Sequence, residues 1–193
     1  MAHEGMVSNE NVHCLYYNQL YWYIQLVCLM HMSIMGGSKT QKELITNVSH
    51  WVANEVLGPR LSRVVDIDYT ITRRLDADGW CTWEDSNIRP REFSIELRSE
   101  QLYPELILTI CHEMVHVRQM ARGELKENGL NKGGKYHYQT WKGIRVRKNI
   151  AYAKQPWETE AYKLQQPLYD KFIDECGFVY TKSMQVRDER MCK

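Results

Sequence analysis

The chain has 193 residues, 44% hydrophobic and 25% charged, which suits one domain with its own core and excludes a disordered or fibrous protein. A formal net charge of +1 excludes a global electrostatic pull toward nucleic acid or a membrane surface. Six cysteines without a C-x-x-C pair exclude a cysteine zinc ribbon and speak against a disulfide-stapled secreted domain, so a reducing, intracellular setting is expected.

Residues 1–38 contain no Lys or Arg. Within them Leu20–Met35 is an apolar run, but Gln25 and His31 interrupt it and it falls short of a membrane span. It lacks the basic start of a signal peptide. A buried or partner-covered helix is expected there, with weak membrane association as the alternative. Met35-Gly-Gly-Ser-Lys-Thr reads like the opening of a protein. Residues 1–34 are thus a candidate upstream extension, and the chain divides into 1–38, an apolar extension or helix, 39–177, the working domain, and 178–193, a polar tail.

Lys42–Leu57 spaces Leu44, Ile45, Val48, Trp51, Val52 and Val56 as one helical face, and Gly58-Pro59 stops it. Val65–Thr72 alternates apolar and polar residues, the period of a half-buried strand. A turn at Asp76–Gly79 leads to a short strand at Trp80–Trp83. Arg91–Arg98 alternates again, with Phe93, Ile95 and Leu97 on one face, and is expected to be the sheet edge that grips an extended peptide. Pro104 and Gly123 bracket an apolar helix, predicted over 103–122 and buried. A Gly- and Lys-rich connection follows, with a hairpin expected around His137–Val146, and Pro156 opens a last helix to 176. Its packing face is Ala161, Leu164, Leu168, Phe172 and Ile173. The sum is an α+β domain, with an active-site helix and a ligand-bearing helix on a small, mainly antiparallel sheet.

The chemistry concentrates in His112-Glu-Met-Val-His116, an H-E-x-x-H pattern. Residues four apart share a helix face, so both imidazoles can meet one Zn²⁺. Glu113 is turned from His112 by roughly 100° and flanks the metal, placed to take a proton from an activated water. Catalytic zinc needs a third protein ligand and one open position. His137, Glu158 and Glu160 are the downstream candidates.

This pattern resembles the zincin metallopeptidases whose third ligand is a glutamate. In them the glutamate stands on a second helix and is followed by a small residue, which implies Glu160, followed by Ala161, rather than Glu158. The resemblance implies a zinc peptidase with Glu113 as base, acting on protein or peptide. A SprT-like third histidine, His137, is the second choice, although it lacks that family's His-Gly context. HEMVHVRQ, GEL, W-x-G and PWETEA together look similar to small metallopeptidases of tailed bacteriophages over about residues 40–177. That likeness implies a host-cytoplasm or virion setting. A zincin-fold structural or binding protein with little turnover is the alternative.

Ten basic residues against two acids in 118–154 form a basic rim suited to acidic or nucleic-acid-associated substrates, or else a solvated loop. Tyr136, Tyr138 and Trp141 interleave with it. Tyr162 is a candidate to steady an oxyanion.

Overall fold

The computed structural model describes residues 30–85, 87–130, 136–147, 149–176, 184 and 190–191. Among these residues, four helices and seven strands make an α+β fold. In chain order they are β1 (His31–Met35), α1 (Lys39–Val56), the single turn α2 (Pro59–Ser62), β2 (Asp66–Thr72), β3 (Gly79–Trp83), β4 (Glu92–Arg98), α3 (Tyr103–Ala121), β5 (Leu125–Leu130), β6 (Tyr136–Trp141), β7 (Ile144–Val146) and α4 (Pro156–Cys176). No described helix is long and apolar enough to cross a membrane.

The larger sheet has the order β1-β2-β4-β3, and β5-β6-β7 form a second, smaller one. Three of the five strand pairings are antiparallel, as expected for the whole, but β1/β2 and β2/β4 are parallel. The parallel pairs follow from chain path: α1 carries the chain back to start β2 beside β1, and β3 leaves β2 for the outer edge.

Alternation makes this sheet one-sided. Ile67 and Tyr69 of β2 and Phe93, Ile95 and Leu97 of β4 are buried, while Asp66, Asp68, Glu92 and Glu96 face out. Against the apolar face pack Leu44, Ile45, Val48 and Val52 of α1 and Leu106, Ile107, Ile110 and Met114 of α3. α3 is thus held between the sheet and the other helices, and an all-round apolar surface suits it to that place. α1 begins with a reciprocal cap between Ser38 and Gln41. It meets the far end of α4 where Trp51 packs edge-on against Phe172, ring centroids 5.5 Å apart, and donates its indole N–H to Glu175 at 3.1 Å.

Three expectations are corrected. The strand at 91–98 is not an edge: β4 lies between β2 and β3, and β3 is the edge. The end of the apolar run is strand rather than helix. Met30 is buried, and Met32 and Ile34 pack inward at period two, so the domain reaches upstream of residue 39. The tail is not wholly peripheral, because Met184 is buried in the core. Residues 1–29 and most of 178–193 lie outside the described residues.

A chain starting at Met35 loses β1 and the buried Met30. Relative to a chain starting at Met30, its unfolding free energy in urea is expected to fall by about 2–5 kcal/mol, the cost of emptying one well-packed apolar site. Equal midpoints would show that β1 contributes nothing to the core.

Candidate metal centre

Helix periodicity places His112 and His116 one turn apart on α3, with their Nε2 atoms 3.1 Å from each other. Glu158 enters from the first turn of α4, its carboxylate oxygens 3.4 Å from His112 Nε2 and 3.5 Å from His116 Nε2. α4 can come this close because Ala161, fully buried, leaves a small surface one turn further on. The three donor atoms lie within 4.8 Å of one another, and all three residues are buried.

Each imidazole is held from behind. His112 Nδ1 meets Gln165 Oε1 at 2.8 Å, and His116 Nδ1 meets Gln119 Oε1 at 2.8 Å. The Gln119 amide has no freedom to flip. Its Nε2 donates to the Trp157 carbonyl at 3.0 Å and to Glu160 at 3.1 Å, so its oxygen must face His116. An Nδ1–H donating to that oxygen leaves the lone pair on Nε2, which is the atom turned into the cluster. Two such lone pairs and a carboxylate facing one another without a cation repel.

The electrostatics favour positive charge at the focus of these groups. Burial pushes the Glu158 carboxyl up, but His112, His116 and the Tyr152 hydroxyl outweigh it and hold the group at about 2. Burial pushes the His116 imidazole down, yet Glu158 and Glu113 outweigh that and keep it above its ordinary value. Glu158 Oε2 is buried and makes no hydrogen bond of ordinary geometry. An orphaned carboxylate oxygen facing two imidazole nitrogens fits a divalent cation, and the His₂Glu set with one side open is a known zinc donor set.

Glu113, buried beside the cluster, borders both hollows that flank it. Burial raises its carboxyl, with His116 and His112 opposing. β3 passes directly over it: a Cβ on Gly79 would lie 2.7 Å from Glu113 Oε1 and 2.7 Å from Thr109 Cγ2. Gln101 fixes this approach, donating to the Asp78 carbonyl at 2.7 Å while accepting from Thr109 at 2.7 Å.

The structure therefore brings together His112, Glu113 and His116 with Glu158, and it does not bring Glu160 to them. Glu160 turns the other way, into Arg118, Lys142 at 2.9 Å and Gln119. The physical reason is helix phase, since two residues apart is more than half a turn. Its contribution is to brace Gln119. The His137 side chain lies outside the described residues. Tyr162 leans on His112, ring centroids 4.8 Å apart. Tyr152, Gln165, Gln119 and Gly79 carried no motif, although Gln119 stands three residues from His116, on the same face. In the basic run, Arg118 pairs with Glu124 and Glu160, and Arg145 covers the Tyr138 ring at 4.5 Å, so part of it is engaged within the protein.

Glu158→Gln is expected to weaken zinc retention in equilibrium dialysis by at least about 100-fold. Gln119→Ala, which frees one imidazole, should cost about 10–100-fold. Glu160→Gln should cost less than either, and a Glu160→Gln protein that loses its metal while Glu158→Gln keeps it would reverse the assignment. No family model, curated protein or solved structure matches the chain, which leaves the geometry of this centre to carry its function.

Proposed function

We propose that the protein is a zinc-dependent peptidase of the glutamate-zincin kind, with His112, His116 and Glu158 as ligands and Glu113 as general base. The observation that carries this reading is the placement of a second buried carboxylate, Glu113, beside the His₂Glu donor set and on the wall of an open cleft. A purely structural metal site closes its coordination with four protein ligands and has no use for such a group.

Zinc bound there would supply a water of lowered pKa and polarise a substrate carbonyl. The chain's own residues do the rest. Glu113 takes one proton from the attacking water and passes it to the departing amine nitrogen, so the hydroxyl ends on the carbonyl carbon as the C–N bond breaks. Desolvation keeps its proton affinity nearer to neutrality than that of an exposed glutamate, which suits a group that must both accept and release. Tyr152 and Tyr162 border the cleft on the side of His112, within reach of negative charge developing on a substrate oxygen.

The edge strand supports a peptide as the substrate. Arg98 N–H donates to the Asp78 carbonyl and Glu84 N–H to the Glu92 carbonyl, which makes 78/98 and 84/92 hydrogen-bonded pairs of the β3/β4 ladder. Alternation then turns the backbone groups of Gly79 and Cys81 away from β4, toward the free edge. An extended chain can add there by backbone pairing alone. An intracellular setting is part of the proposal, supported by the free thiols of Cys81, Cys111 and Cys176.

Glu113→Gln separates binding from chemistry. Zinc content should stay near that of wild type, while hydrolysis of a casein-type unfolded substrate falls by about two to four orders of magnitude. Full activity in this variant would end the mechanism. Gly79→Ala should also keep its zinc yet lose most activity, because the new methyl displaces the Glu113 carboxylate.

A further inference from the structure

The centre lies between two hollows that share one wall. A hollow of about 480 Å³ opens on the His112 side, bordered by Asp78, Arg98, Glu105, Thr109, Tyr162 and Gln165. Another, of about 240 Å³, opens on the side of His116 and Glu158. Trp83, Met120, Leu125 and Trp157 line the second, with Glu127 and Gln139 among its polar neighbours. Gly79 and Trp80 border both, so the free edge of β3 runs past the centre and continues on either side.

An enzyme that trims chain ends closes its cleft next to the reacting bond, with a charged group that captures the terminal amine or carboxylate. Among the described residues, neither hollow offers an uncommitted cation for a terminal carboxylate. Arg98 is the cation among the described residues of the larger hollow, and it is already paired with Asp78. The smaller hollow sets large apolar side chains, Trp83, Met120, Leu125 and Trp157, beside its polar groups and has the volume of a single large side chain.

Chain direction assigns the hollows. Antiparallel addition, the stronger pairing, sets the N-terminal half of a bound segment toward Trp83 and its C-terminal half toward Asp78. Resting on the peptidase reading, we infer that the site cuts chains internally and takes a large apolar side chain, of the Leu, Met or Phe kind, just before the bond that breaks. The broken bond is an internal amide: water gives its hydroxyl to the carbonyl carbon and a proton to the nitrogen. Leu125, Glu127 and Gln139 of the second sheet complete the smaller hollow, which makes that sheet, inserted between His116 and Glu158, the element that selects substrate.

The test uses the zinc-reconstituted full chain and a degenerate peptide mixture, acetylated at one end and amidated at the other, with new termini read by mass spectrometry. Blocked peptides should be cut, and Leu, Met or Phe should precede the new amino terminus about tenfold or more above Asp or Glu, the discrimination an apolar pocket provides. Trp83→Ala should flatten that preference. Zinc-loaded Glu113→Gln should bind a blocked apolar peptide in a fluorescence titration, more tightly than an acidic one of equal length. Hydrolysis confined to peptides with a free end, or internal hydrolysis without apolar preference, would overturn this inference and leave the peptidase reading standing. Binding without hydrolysis by wild type, or neither binding nor hydrolysis, would overturn both.

Discussion

Two imidazole nitrogens 3.1 Å apart, facing a buried carboxylate, form the constraint that the surrounding structure serves. Left to themselves, these groups would rotate apart or admit water. They are kept in place because each imidazole is pinned at its other nitrogen and because Gln119, fully buried, is itself pinned by two acceptors on α4. The cost of burying so many polar groups is tolerable only when each has a partner. Glu158 Oε2, at the focus of the cluster, makes no hydrogen bond of ordinary geometry, and a divalent cation there would satisfy it.

α3 gives this cluster its precision. Its first turns are locked under the sheet by Leu106, Ile107 and Ile110, so the following turn, carrying His112 and Glu113, emerges at a fixed height beneath β3. β3 can lie over Glu113 only because Gly79 has no side chain. One glycine thus sets the distance between the strand proposed to hold a peptide and the carboxylate proposed to act on it.

Much of this was legible in the sequence, for identifiable reasons. The i, i+4 spacing of His112 and His116 needs only a helix to become a shared face, and the bracketing Pro104 and Gly123 made the helix plain. The alternation of β2 and β4 was equally clear, but neighbours in a sheet are chosen by chain path, and nothing in Arg91–Arg98 said that β3 would take the outside. The N-terminal strand was hidden inside a longer apolar run, where Met30, Met32 and Ile34 at period two looked like part of a helix. Periodicity, rather than the motif, points to the acid that the fold sets beside the two histidines. Extending the packing face of α4 back from Ala161 by one turn reaches Trp157 and Glu158, both buried, whereas Glu160 falls on the flank.

The pinning of Gln119 also fixes an order of assembly. Sheet and α3 are complete by residue 121, but the amide that aims His116 takes its orientation from Trp157 and Glu160, and Glu158 itself arrives with the same turn. A chain emerging from its amino terminus therefore displays the two histidines long before they are aimed. The cluster is complete only with α4 in place. Any cut in the connection between Ala121 and Pro156 leaves both halves of the centre intact as sequence yet dependent on reassociation. An unfinished chain thus carries the two histidines without the acid that faces them.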